Sequence, residues 1–167
     1  MKNTFFISDT HFGHKNIITF KKSDGSFLRP FDSVEEMDEL MVKNWNNIVN
    51  PVDTVYHLGD VVINRKAFPI LNRLNGRKVL IKGNHDIFKL KDYVKYFDDI
   101  RAYKVITKHG IICSHIPIHT DSLSRWKLNL HGHLHSNKLH DDRYKCISVE
   151  QINYTPIGLN EILAGIK

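Results

Sequence analysis

The amino-acid sequence predicts an α/β protein. Three apolar runs typical of strands, 4–7, 54–58 and 78–82, alternate with two segments of helical character in the first half of the chain. Polar residues follow each run, at the strand ends where α/β proteins bind their ligands. The chain has 167 residues, of which 41% are hydrophobic, so it can bury one substantial core, and we expect a single domain over residues 1–167.

The first strand and the first helix have clear boundaries. Thr4–Ile7 is a short apolar run that ends at a polar Ser-Asp pair, and residues 12–32 are polar and predict a surface loop. Ser33 with Glu36 three residues later predicts a capping box, and Pro51 ends the helix that follows. The residues that recur at helical spacing and face the core are Val34, Met37, Leu40, Met41, Trp45 and Ile48.

The next two strands also run directly into polar residues. The run 54–58 leads into Gly59-Asp60, and the run 78–82 leads into residues 83–86, Gly-Asn-His-Asp. Between them, residues 65–74 predict a short helix that ends at an Asn-Gly turn.

The second half of the chain predicts more strands and few helices. The expected strands are Ile100–Ile106, Gly110–Cys113, Asn129–Leu130 and Tyr144–Val149, and a last helix is expected over Leu159–Ile166.

The charge balance predicts anionic partners. Lys plus Arg minus Asp plus Glu is 24 − 18 = +6, a balance that attracts phosphorylated small molecules, nucleotides or nucleic acid. The basic residues are scattered, with neither a basic stripe nor interleaved aromatics, so nucleic acid remains possible but is not favoured.

The apolar runs are too short for a membrane protein. None approaches the roughly 18 residues that span a bilayer, and the N-terminus turns polar at Ser8 before a signal-peptide core forms. Cys113 and Cys146 lie in apolar contexts without metal-ligand spacing and predict free thiols. We therefore expect a cytoplasmic protein with no membrane partner.

Five polar clusters, each after an apolar run, are the candidates for chemistry. Each alone is common in turns, but together they place ionisable groups repeatedly at the ends of buried strands, where burial without a partner is costly. Mixed Asp, Asn and His sets suit manganese, iron, zinc, cobalt or nickel. The clusters are Asp9-x-His11, Gly59-Asp60, Gly83-Asn84-His85-Asp86, His115 and Gly132-His133-x-His135.

The order of these clusters resembles the calcineurin-like metallophosphoesterase superfamily. That family's pattern is D-x-H, then GD, then GNH followed by Asp or Glu, then a lone His, then GHxH. All five elements occur in this order between Asp9 and His135, and the details are similar to the compact bacterial and phage-type members. The resemblance implies a two-sheet α/β/β/α sandwich with the site at the strand ends.

The resemblance also implies a dinuclear centre with two divalent metal ions per chain. Manganese is the first expectation, and iron, zinc, nickel, cobalt or magnesium is compatible. The first ion would be held by Asp9, His11, Asp60 and His135. The second would be held by Asp60, Asn84, His115 and His133, with Asp60 bridging the two. His85 would be the catalytic histidine.

The implied activity is hydrolysis of a phosphate ester by a metal-bridging hydroxide, with His85 giving a proton to the departing alkoxide. The residues after Asp60 are not the arginine and glycine found there in protein phosphatases, and Asp86 stands in place of Glu, which argues against a Ser/Thr protein phosphatase. A small phosphodiester such as a nucleotide or cyclic nucleotide is favoured. Ile63 also departs from the acidic residue that the family often places there. A phosphomonoesterase and a non-catalytic scaffold that keeps the metals are the alternatives.

Two other residues near these motifs each have two alternative roles. His14 approaches the phosphate or lies in a surface loop, and Asp86 orients His85 or, as we favour, has a structural role. Three arginines are candidates for a clamp on the substrate phosphate, and the sequence does not choose among Arg29, Arg125 and Arg143. The oligomeric state is open.

Overall fold

The computed structural model describes residues 2–165 and contains two β-sheets. The strands are β1 (Thr4–Ile7), β2 (Thr54–His57), β3 (Arg77–Ile81), β4 (Asp99–Arg101), β5 (Lys104–Ile106), β6 (Ile111–Cys113), β7 (Leu128–His131), β8 (Tyr144–Cys146) and β9 (Ile157–Gly158). The first sheet has the order β4-β3-β2-β1-β9, and only β9 is antiparallel to its neighbour. The second has the order β5-β6-β7-β8, and only β5 is antiparallel to its neighbour.

The first sheet is covered on both faces, which its short apolar strands require because successive side chains point to opposite sides. Phe6 packs in a buried cluster with Leu130 of the second sheet. Ile7 packs in another cluster with Met41 of helix α1 (Val34–Ile48). Two mainly parallel sheets packed together, with helix on the first, confirm the predicted sandwich fold.

Helix α1 is confirmed, with Ser33 as its N-cap. The Ser33 hydroxyl accepts a hydrogen bond from the Glu36 backbone N–H at 3.1 Å. The Glu36 carboxylate accepts from the backbone N–H of Asp32 at 3.0 Å instead of from that of Ser33, so only half of the capping box forms. None of the helices within residues 2–165 is long and apolar enough to cross a membrane.

The single strand predicted over Ile100–Ile106 is wrong. The segment forms β4 and β5, which belong to different sheets, so the chain crosses from one sheet to the other at Ala102 and Tyr103. The helix predicted over 65–74 is a 3-10 helix, Arg65–Arg73, which contains Pro69. A proline in that position has no N–H to donate and disfavours a regular α-helix.

Four further elements differ from the prediction in smaller ways. The expected strand over 144–149 ends at Cys146, and a 3-10 turn, Val149–Gln151, follows. Strand β9 and the short helix α2 (Leu90–Tyr93) were not predicted. The last helix, α3, covers Leu159–Ala164, and the predicted end at Ile166 lies outside the described residues.

The predicted loop over 12–32 contains a 3-10 turn, Lys15–Thr19, and then a small β-hairpin over residues 20–28. Lys21 and Phe27 face each other across the hairpin, and the backbone N–H of Leu28 donates to the carbonyl of Phe20 at 2.7 Å. Gly25 closes the turn with φ +83°, a left-handed conformation that glycine adopts without strain.

Candidate metal centre

The predicted ligands lie on loops that follow five parallel strands, at one end of both sheets. Two loops come from the second sheet, after β6 and β7, and three from the first, after β1, β2 and β3. The sheets are joined at this end, because the Ser8 N–H donates to the carbonyl of Ile147 and the Val149 N–H donates to the carbonyl of Ser8, both at 3.1 Å. The topology thus brings distant motifs to one place.

Five of the predicted ligands have a left-handed backbone. Among residues 2–165, the only other non-glycine residues with positive φ are Asn153 and Tyr154. Such conformations are uncommon for residues with a side chain and concentrate at functional sites. The five residues and their φ angles are Asp9 (57°), His11 (48°), Asp60 (57°), His133 (68°) and His135 (51°).

The glycines of the motifs allow the loops to approach one another closely. A Cβ atom at Gly59 would lie 2.5 Å from the backbone nitrogen of Gly83. A Cβ at Gly83 would overlap the carboxylate of Asp60, and one at Gly132 would overlap the carboxylate of Asp9. The GD motif therefore needs glycine because the backbone of the loop after β3 occupies the space of a side chain, and the GNH and GH motifs need it because polar side chains, including the two carboxylates, occupy that space.

The first candidate ligand group contains Asp9, His11 and His135, whose ligand atoms all lie within 4.8 Å of one another. His11 is buried, and neither of its ring nitrogens has a hydrogen-bond partner within residues 2–165. Burial raises the pKa of Asp9, and burial followed by the charge of Arg29 lowers that of His11. A divalent cation would bond the unpaired imidazole nitrogen and stabilise the buried carboxylate, so this donor set fits a metal ion.

The second group surrounds the side-chain oxygen of Asn84. Asn84 Oδ1 lies 2.7 Å from His115 Nε2 and 2.9 Å from His133 Nδ1. The carboxylate of Asp60 lies between the two groups, with Oδ2 3.4 Å from His115 Nε2 and 3.6 Å from His11 Nε2. Burial opposes ionisation of Asp60, but the neighbouring His115 and His11 outweigh it and lower its pKa to about 2.

His85 and Asp86 have separate places beside this cluster. The His85 side chain is exposed at the mouth, with its ring centroid 5.5 Å from that of His11, and its backbone N–H donates to Asp60 Oδ1 at 2.8 Å. The buried Asp86 carboxylate accepts from the N–H groups of Asp60 (2.9 Å), Val61 (3.0 Å) and Gly83 (2.8 Å). Asp86 therefore has the structural role that we favoured: it ties the loop after β2 to the loop after β3.

Glu150 and Arg29 support the candidate metal centre, and the sequence did not predict that role for either. Glu150 Oε1 accepts from His135 Nδ1 at 3.0 Å and from Arg29 Nε at 2.7 Å. Arg29 is fully buried and also donates to the carbonyl oxygens of Asp9 and Thr10. The suggested phosphate clamp is wrong for Arg29, because its guanidinium is enclosed and binds the chain's own backbone.

We expect Glu150→Gln to weaken metal binding by about 10- to 100-fold, the usual cost of removing a carboxylate that orients a ligating histidine. Glutamine keeps the size of the side chain but loses the charge that holds both His135 and Arg29. Calorimetric titration of the metal-stripped protein with Mn²⁺ measures the effect, and the exposed Glu161→Gln serves as a matched control. Equal affinity in the two variants would contradict this role of Glu150.

The comparisons with known proteins identify the family. The family model described as "Calcineurin-like phosphoesterase" matches residues 3–162. The chain is 39% identical to the uncharacterized protein MJ1445 of Methanocaldococcus jannaschii, over 100% of this chain and 93% of that protein. It is 31% identical to the Gene 66 protein of Mycobacterium phage L5, over 81% of this chain and 79% of that protein.

A solved structure has the same fold over nearly the whole chain. The crystal structure of the protein of unknown function AQ665 from Aquifex aeolicus matches with a TM-score of 0.74 and 33% identity, covering 97% of this chain and 98% of that one. With the family model matching almost every described residue, the chain belongs to the calcineurin-like phosphoesterase family.

Proposed function

We propose that this protein is a metal-dependent phosphoesterase with a dinuclear centre, and that it hydrolyses phosphodiesters such as nucleotides or cyclic nucleotides. The proposed ligands of the first ion are Asp9, His11, Asp60 and His135, and those of the second are Asp60, Asn84, His115 and His133. The observation that carries the proposal is the position of the Asp60 carboxylate, between the imidazoles of His11 and His115. A carboxylate in that position can serve two ions at once.

When bound, two divalent cations supply an activated water at neutral pH and stabilise negative charge on the phosphate and the leaving oxygen. Manganese remains our first expectation, since the mixed oxygen and nitrogen donors suit it.

The chain's own residues position these partners. The Asp9 carboxylate is oriented by the Ser148 hydroxyl at 2.8 Å and by the His133 N–H at 3.0 Å. Asp60 stays ionised, since its pKa is about 2, and its Oδ1 holds the backbone of His85. The exposed imidazole of His85 thus stands at the mouth of the site, where it can give a proton to the leaving oxygen.

Metal removal tests the proposal directly. We expect the protein treated with a chelator to be inactive, and addition of Mn²⁺, Ni²⁺, Zn²⁺ or Mg²⁺ in turn to restore hydrolysis with at least one of them. Bis(p-nitrophenyl) phosphate and p-nitrophenyl phosphate, assayed side by side, separate diesterase from monoesterase activity. Two ions bound per chain without turnover of either ester would favour the non-catalytic scaffold, and no bound metal would overturn the proposal.

A further inference from the structure

A half-exposed aromatic ring borders the metal centre. The ring of Phe20, at the base of the hairpin over 20–28, packs edge-on against His14 with centroids 5.6 Å apart. The ring of His14 in turn lies 5.8 Å from that of His11, a proposed metal ligand. Three rings therefore form a continuous row from the metal centre out to the solvent.

The row of rings is buried at the end near His11 and exposed to solvent at Phe20. His14 Nδ1 is buried and has no hydrogen-bond partner among the described residues, and the ring lies between those of His11 and Phe20. Phe20 is 47% exposed. An apolar ring left in water beside a phosphate site offers a flat surface that a substrate can cover.

The two faces of the hairpin differ. Phe27 is 50% exposed, but it lies opposite Lys21, whose ammonium sits 5.6 Å above its ring. Phe20 instead packs against His14, on the side of the metal centre. Phe20 is thus the hairpin ring that borders the candidate phosphate site, and exposed aromatic rings of this kind stack on nucleobases.

We propose that Phe20 is the stacking platform for the nucleobase of a nucleotidic phosphodiester whose phosphate lies at the metal centre. This inference rests on the proposed phosphoesterase function and specifies its substrate class. A nucleotide fits because its base and its phosphate lie at opposite sides of a sugar. Phe20, which would bind the base, and His11, at the phosphate site, likewise lie on opposite sides of His14. The net charge of +6 favours the same polyanionic class.

Two esters with the same leaving group test the platform: thymidine 5′-(p-nitrophenyl phosphate), which has a base, and methyl p-nitrophenyl phosphate, which has none. We expect Phe20→Ala to lower kcat/KM for the thymidine ester by about tenfold, mainly through KM, and to leave the methyl ester unchanged, given the usual strength of base stacking. Phe20→Trp should keep the preference. Phe27→Ala is the matched control and should behave as wild type.

Direct binding of AMP gives a second readout that does not need turnover. We expect titration calorimetry to show about tenfold weaker AMP binding in Phe20→Ala than in Phe27→Ala or wild type. Equal losses in both variants, or none in either, would overturn the platform. Hydrolysis of the methyl ester with no preference for the thymidine ester would also overturn it and leave the phosphoesterase function standing. If neither ester is cleaved, the function fails and AMP binding alone decides the platform.

Discussion

Replacing Asp60 by alanine is expected to abolish metal-dependent hydrolysis, with a loss of roughly a thousandfold or more in kcat/KM. The Asp60 carboxylate lies 3.6 Å from His11 Nε2 and 3.4 Å from His115 Nε2, between the two candidate ligand sets. Metal ions held there would supply several kcal/mol of transition-state stabilisation. Metal content, measured by elemental analysis after dialysis, should fall from two ions per chain to one or none. The rate is measured with bis(p-nitrophenyl) phosphate.

Asp60→Asn separates loss of charge from loss of fold. Asparagine tolerates the left-handed backbone at this position better than alanine does, and its side-chain oxygen can still accept from the His85 N–H. We expect it to fold as wild type by circular dichroism and to remain nearly inactive. The exposed Asp142→Ala is the matched acidic control. Full activity with two ions in either Asp60 variant would rule out a bridging role.

Replacing His85 by alanine is expected to lower kcat by about 10²- to 10⁴-fold for a substrate with a poor leaving group, while both ions stay bound. Its imidazole is exposed at the mouth, and only its backbone N–H is used by Asp60, an interaction that alanine keeps. The result is measured as kcat together with metal content on the same preparation. His119→Ala, in an exposed loop, is the control.

The leaving group distinguishes proton donation from a structural role. A poor leaving group such as the sugar alkoxide of a 2′,3′-cyclic nucleotide needs a proton, whereas p-nitrophenolate leaves without one. The loss in His85→Ala should therefore be much larger for the cyclic nucleotide than for the p-nitrophenyl ester. An equal loss for both, or a loss of metal, would assign His85 a positioning role instead.

The parts of the fold that could be predicted are those with a local signal. Strands β1, β2 and β3 are apolar runs followed by Ser-Asp, Gly-Asp and Gly-Asn, and α1 begins after a capping serine. A few neighbouring residues were therefore enough to predict each of them. The crossing between β4 and β5 has no such signal. Its sequence, Asp-Ile-Arg-Ala-Tyr-Lys-Val-Ile, contains neither glycine nor proline, and only the packing of two sheets separates the strands.

The candidate site could also be predicted only where its residues have a local signal in the sequence. The motif residues that the sequence singled out meet at one end of the sheets, whereas Arg29 lies in a polar segment that looks solvent-exposed. Its burial depends on carbonyls and a carboxylate from distant parts of the chain. Glu150 did carry a usable signal, since it directly follows the predicted strand over 144–149 as the other clusters follow theirs. The family motif ends at His135 and therefore does not include Glu150.

The junction of the two sheets would link metal binding to the stability of the protein in a cell. The proposed ligands Asp9, His11, Asp60 and Asn84 follow strands of the first sheet, and His115, His133 and His135 follow strands of the second. Ions bound by both sets would bind only while the sheets are together, so metal binding and folding would draw on one free energy. Under metal starvation the chain would lose both its chemistry and part of its resistance to proteolysis, and its abundance would follow metal supply.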